Sequence, residues 1–204
     1  MDQLKQFLLS LLEWVGESPF RLFTVILLCF LTFVGWVAYT EKDNFMASYR
    51  AQQALPRMNG EYEKAANFIL KNSQAELVAI FEVNTLLNTR KLVYFVTRKS
   101  GQDKTMYGTD VGLLTKNYDN NNDVISMMSG KIPCQTYERP QSLMGFIYVE
   151  KGTKWMCRIS VPAEPGVFIG QLSVGWGDIP ANNALIDIQQ TVMTVASGLL
   201  YNKK

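Results

Sequence analysis

Side chains able to do covalent or metal chemistry are scarce in this chain. Histidine is absent altogether. That removes serine–histidine and cysteine–histidine nucleophiles, histidine-ligated metals and histidine pH sensing together. Three cysteines remain: Cys29, Cys134 and Cys157. Cys29 lies in an apolar run and reads as a small apolar filler. Cys134 and Cys157 lie in the same later region and can pair if that region faces an oxidising compartment. Two unpaired core thiols are the other reading. The carboxylates Glu138, Glu150, Glu164 and Asp178 could supply a glycosidase-type acid and base, but their spacing singles out no pair. Asp119, Asn121 and Asp123 have the opening spacing of a calcium loop, without its turn glycine and closing glutamate. Gly175-Trp176-Gly177 stands between a strand and a helix, where a dinucleotide loop would sit. The third glycine is missing, and Asp178-Ile179-Pro180 takes the helix start. The expectation is a chain with no catalytic residue, no cofactor and no metal, and so not an enzyme.

The elements that would position these residues begin with Phe20 to Thr40. After Arg21 this run holds no charge and no proline. About 20 apolar residues in a helix cross a hydrocarbon core about 30 Å thick. Arg21 can snorkel to one interface, and Trp36 and Tyr39 sit where an aromatic belt lies at the other. A buried core helix is the alternative, but it would seldom stay charge-free for so long. The expected organisation is a tail at 1–18, a transmembrane helix at 19–40 and a domain at 41–204. Charge orients the span poorly, with acids and bases on both sides. The tail is placed in the cytoplasm and the domain outside, partly from the cysteine pair.

In the tail, Leu4, Phe7, Leu8, Leu11, Leu12 and Val15 fall on one helical face. The adjacent bilayer surface is the nearest apolar partner for that face, and membrane lipids are therefore an expected contact. Packing on another protein is the other reading. Gly16-Glu17-Ser18-Pro19 then breaks the helix, with Ser18 suited to cap the next one. Within the span, Thr24, Thr32 and Gly35 fall roughly on one side. Small and hydroxyl residues let transmembrane helices approach closely, so this is a weak signal for a homo-oligomer. Ordinary span composition explains it as well.

The later region carries helical patterns at Phe45 to Leu55 and Glu61 to Lys71. Strands are expected at 77–83 and 91–97, then a polar stretch at 104–131 with one or two short helices. Leu143 to Glu150, Lys154 to Val161 and Val167 to Gly175 read as three further strands, with Ile132 to Tyr137 as an edge. Leu185, Ile188, Val192, Val195, Ala196 and Leu199 form the apolar face expected to dock a last helix. The fold class is α+β: an N-terminal amphipathic helix, one transmembrane helix, then an antiparallel-sheet domain flanked by N- and C-terminal helices. With 20 Lys+Arg against 18 Asp+Glu, the net charge of +2 leaves no nucleic-acid footprint.

This layout resembles the holins of T-even bacteriophages. The exit Glu41-Lys42-Asp43-Asn44-Phe45 resembles the charged segment after the span in that family. Leu92-Val93-Tyr94-Phe95-Val96 is similar to an early strand of its outer domain. Cys157 followed by Phe168-Ile169-Gly170-Gln171-Leu172-Ser173-Val174-Gly175-Trp176 resembles its cysteine, glycine and aromatic strand. The resemblance implies a single-pass protein of the host bacterial inner membrane with a periplasmic domain. It would oligomerise into lesions, release an endolysin for host cell lysis, and meet an antiholin at the outer domain. Two alternatives share the layout: a single-span subunit of a type IV secretion assembly, and a membrane-anchored sensor with a PAS-like outer domain.

Overall fold

The computed structural model describes all residues except 1–4, 7, 8, 11, 12, 15, 55, 139, 141 and 202–204. The chain divides into two compact units, 1–55 and 56–204.

In the first unit, Lys5, Gln6, Leu9, Ser10, Glu13, Trp14 and Gly16 are helical. The apolar positions Leu4, Phe7, Leu8, Leu11, Leu12 and Val15 lie outside the described residues. Helix α1 spans Pro19–Ala54. Its stretch Pro19–Asn44 is long and apolar enough to cross a membrane, and none of its apolar window is buried within the chain. The helix does not stop at the expected boundary of 40. At 1.5 Å per residue its 36 residues reach about 54 Å, well beyond a hydrocarbon core. Thr24 and Thr32 donate their hydroxyls to the carbonyls of Phe20 and Leu28, one turn back in the same helix. Gly35 leaves open space where a Cβ would stand.

The second unit is α+β. Among the described residues it contains α2 (Tyr62–Asn72), β1 (Leu77–Asn84), β2 (Thr89–Thr97), β3 (Gly101–Gln102), α3 (Tyr118–Met128), β4 (Cys134–Thr136), α4 (Leu143–Glu150), β5 (Trp155–Val161), β6 (Gly170–Trp176) and α5 (Asn183–Leu199). The strands form one six-stranded antiparallel sheet in the order β3-β2-β1-β6-β5-β4. The run Leu77-Val78-Ala79-Ile80-Phe81 is buried throughout, as a central strand covered on both faces must be. A register shift between Ile80 and Phe81 marks a bulge opposite β2.

One sheet face presents Val78, Ile80, Ile159, Leu172 and Val174 to Ala65, Ala66 and Ile69 of α2 and to Met193 and Ala196 of α5. The other face presents Leu77, Ala79, Phe81, Leu92, Phe95 and Met156 to Met144 and Tyr148 of α4. Side chains alternate across a strand, so β1, β2 and β5 each feed both cores. Close approach explains a glycine at the end of β6: a Cβ at Gly175 would stand 2.6 Å from Thr153 Oγ1 and 3.0 Å from Leu77 Cγ. Gly175 and Trp176 thus close a strand, and the Trp176 indole N–H donates to the Ser73 carbonyl at 2.8 Å.

Two expectations from the sequence are corrected here. Leu143 to Glu150 is a helix, not a strand. Ser142 caps it by accepting the Gly145 N–H at 3.1 Å, and Met144 and Tyr148, four residues apart, are the side chains it buries. The last helix docks with part of its expected face, since Ala196, Val192 and Leu199 meet the core, and the other part is corrected. Met193, Ala196 and Ser197 face the core, while Leu185, Ile188 and Val195 are exposed. Met193 and Ala196 sit on the sheet, and the Ser197 hydroxyl reaches the Ser160 carbonyl at 2.8 Å, which fixes that rotation.

Candidate functional site

A cavity of about 590 Å³ opens on the second face of the sheet, beside the α4 core. Its floor comes from strands. Arg90 lies on β2, Phe81 on β1, Gln171 and Ser173 on β6, and Arg158 on β5. The strands β5 and β6 alternate polar with apolar residues. Arg158 and Ser160, like Gln171 and Ser173, face away from the α2 and α5 helices. On a bare antiparallel sheet such residues would meet water. Here all four are buried, at most 9% exposed.

The cover comes from α3 on one side and from residues 135–138 with Ser142, Met144 and Tyr148 on the other. Asn117 caps α3 by accepting the Asn120 N–H at 3.1 Å. Asn120 and Asp123 are one turn apart, so they share a helix face. Each takes one arginine. Arg90 Nη2 donates to Asn120 Oδ1 at 2.6 Å, and Arg158 Nη1 donates to Asp123 Oδ2 at 2.6 Å. Arg90 Nη1 reaches over β1 to Gln171 Oε1 at 2.7 Å, and Gln171 Nε2 continues to Ser173 Oγ at 2.8 Å. Arg90 also lies 5.9 Å from the centre of the Phe81 ring, and Arg158 lies 5.4 Å from that of Tyr137. Tyr137, Tyr148 and Phe95 form a continuous aromatic row behind them, with ring centres 6.0 and 6.3 Å apart.

The electrostatics are lopsided. Arg158 has a carboxylate partner, 2.6 Å away in a pair whose side chains are 11% and 14% exposed. Arg90 has amide oxygens, and its Nε–H has no acceptor among the described residues. Desolvation first, and repulsion from Arg158 second, lower the Arg90 pKa to about 10, so the group is still a cation at neutral pH. Desolvation raises the Asp123 carboxyl above its ordinary value, against the pull of Arg158 and Arg90. Burial likewise pushes the Tyr148 phenol up, so it stays protonated. The covered set consists of hydrogen-bond donors, two cations and one carboxylate already committed to a partner, with Asp119 and Glu138 as exposed lining residues. Such a set can recognise a ligand by charge and hydrogen bonding.

Of the residues singled out in the sequence, Asp119, Asp123 and Glu138 line the cavity, and the others fall outside it. Cys134 and Cys157 are opposed in register on β4 and β5 and joined by a disulfide, with Cα atoms 4.1 Å apart. The bridge holds β4 on the sheet, and its residues Gln135 and Thr136 line the cavity. Asp119, Asn121 and Asp123 lie in helix α3 rather than in a calcium loop. Among the described residues no group of three His, Cys, Asp or Glu side chains could hold a metal ion. The sequence reading missed Arg90, Arg158, Asn120 and Gln171. For Arg158 and Gln171 the signal was the alternation on β5 and β6, which reads as a solvated face until a cover is known.

No protein-family model and no curated protein matches the chain. Solved structures do resemble it. The GAF domain of a two-component sensor histidine kinase from Bacillus halodurans is 12% identical, with 66% of this chain and 88% of that one covered at a TM-score of 0.47. The GAF domain of a phosphoenolpyruvate-protein phosphotransferase from Acinetobacter is 10% identical, with 79% and 92% covered at 0.47. The blue-light absorbing form of the PixJ GAF domain from Thermosynechococcus elongatus is 9% identical, with 68% and 82% covered at 0.47. All three are GAF domains and none is a lysis protein. The holin reading is corrected by this finding, and with it the assignments to host cell lysis and to a bacteriophage. The cysteine, glycine and aromatic spacing behind that reading is the pairing of β5 with β6 and the tight packing at Gly175. An antiholin partner was implied by that resemblance alone and is not carried further.

Proposed function

We propose that the protein is a membrane-anchored ligand-binding domain of the sensor type, recognising a small molecule rather than transforming it. The observation that carries this reading is the cavity over β1, β5 and β6, with Arg90 and Arg158 buried inside it and Asp123 the one largely covered carboxylate beside them, Asp119 and Glu138 being exposed. Buried cations cost several kcal/mol of desolvation each and persist where something returns that energy. A bound ligand can. Convergent donors in a largely preformed pocket are the usual form of a small-molecule site.

Helix α1 supplies the anchor, with the tail in the cytoplasm and residues 56–204 on the oxidising side. The disulfide supports that orientation, since such bonds persist outside the reducing cytosol. Because α1 runs without a break from the span to Ala54, it is the connection through which a ligand-dependent change would pass.

The test is a thermal-shift screen of the full chain in nanodiscs against a pooled library of small metabolites. Binding to the folded state raises the melting temperature by mass action. The reading expects at least one pool to raise it, and the rise to disappear in Ser173→Trp, which fills the cavity floor. A flat response across all pools would overturn it.

A further inference from the structure

We infer that the ligand is a small monocarboxylate with a short apolar body, its carboxylate held by Arg90 and Arg158. This rests on the reading of the cavity as a ligand site and names what the site takes.

Charge sets the class. The buried ionic groups lining the cavity are Arg90, Arg158 and Asp123, two positive and one negative. Among these covered groups one positive charge is left over, and Asp110, outside the cavity lining, acts on Arg90 from the surface. Arg90 is 7% exposed and keeps an Nε–H with no acceptor among the described residues. A guanidinium with a donor left over inside a desolvated site matches a carboxylate oxygen in geometry as well as charge. Arg158 uses Nη1 on Asp123, and its guanidinium lies over the Tyr137 ring.

Charge also limits the class. Asp119 and Glu138 line the same cavity but are exposed. A dianion such as phosphate or a dicarboxylate would bring a second negative charge toward them, and like charges close together are disfavoured. A single carboxylate balances the interior without that penalty. The remaining lining supplies the body of the site: Phe81, Val111 and Met144 give an apolar wall. About 590 Å³ is ample room for an acid of a few carbons beyond its carboxyl group.

The experiment is calorimetric titration of the full chain in nanodiscs with five probes. Butyrate and benzoate are monocarboxylates, butyramide is the neutral counterpart of butyrate, and succinate and inorganic phosphate are dianions. Butyrate or benzoate is expected to bind, and butyramide to bind at least about tenfold more weakly, as expected when a hydrogen bond to a charged group is lost. Succinate and phosphate are expected to bind more weakly than the better monocarboxylate. Arg90→Met should weaken that monocarboxylate by at least about tenfold, and Arg90→Lys should retain part of it. If Arg90→Met does not fold, the comparison of butyrate with butyramide on the unaltered chain decides. Equal binding of butyramide, or tighter binding of phosphate or succinate, would overturn the monocarboxylate and leave the cavity a ligand site. Silence of all five probes overturns it too, and the pooled metabolite screen then shows whether the broader reading has failed with it.

Discussion

Asp123→Ala tests the electrostatics of the cavity most sharply. Asp123 is the one buried carboxylate facing two buried guanidiniums, at 2.6 Å from Arg158, in a pair 11% and 14% exposed. Opposite charges about 4 Å apart attract by about 4 kcal/mol at the effective dielectric of partly buried sites. Deleting one partner of a buried pair costs about 3–5 kcal/mol, because the other charge is left stranded. Arg90 adds to the strain on Arg158, so the upper half of that range is expected. For a unit of this size each 1 kcal/mol moves the melting temperature by about 2–4 °C, which puts the fall at about 8–20 °C. Removing both charges in Asp123→Ala/Arg158→Met should be less damaging than the sum of the two single changes, by at least about 1 kcal/mol. The assay is denaturant or thermal unfolding of the full chain in mild detergent, followed by the fluorescence of buried Trp176. A cost below about 1 kcal/mol for Asp123→Ala, or strict additivity in the double variant, would show that the pair is not a buried one and that the charge count is wrong.

Three further outcomes follow from the same structure. Replacing both Cys134 and Cys157 by alanine reopens a loop whose ends are 23 residues apart, which in the chain-entropy model costs about 3 kcal/mol; unfolding with and without reductant measures it, and equal stability would refute it. Gly175→Ala should cost about 1–3 kcal/mol by overpacking, since its Cβ would meet Thr153 Oγ1 at 2.6 Å; a neutral substitution would mean that the β6 end packs more loosely than described. Tyr148 should not ionise while the protein is folded, because burial raises its pKa. A phenol raised in the folded state leaves stability unchanged below the unfolded pKa of about 10 and lowers it above, as the unfolded chain releases the proton first. Tyrosinate absorbance in an alkaline titration should therefore gain its last increments together with unfolding, and full ionisation before unfolding would contradict the burial.

Much of the fold was legible because hydrophobic pattern reports burial. The apolar runs beginning at Leu77 and Lys91 are the paired strands β1 and β2, and the chain from Trp155 to Trp176 is the hairpin of β5 and β6. Helix α4 was not legible in this way. Leu143-Met144-Gly145-Phe146-Ile147-Tyr148-Val149 is apolar all round, and periodicity cannot separate a short buried helix from a strand. The Ser142 cap and the packing of Met144 and Tyr148 decide it. The rotation of α5 was hidden for a related reason, since two apolar faces compete and the contact of Ser197 with Ser160 selects one. The cavity was the least legible part. Arg158, Ser160, Gln171 and Ser173 occupy alternating positions that a one-sided sheet would expose. What buries them arrives from α3 and α4, outside the strands themselves, and no pattern within the strands announces that cover.

The most direct test of the ligand-binding account is differential hydrogen exchange on the full chain in nanodiscs, with and without the best ligand from the metabolite screen. The account predicts that protection rises at residues 117–123, 134–138, 155–160 and 170–174, which line or flank the cavity, and that it does not rise on the exposed side of α5. Protection confined to α5 or to the tail, with the cavity segments unchanged, would contradict it.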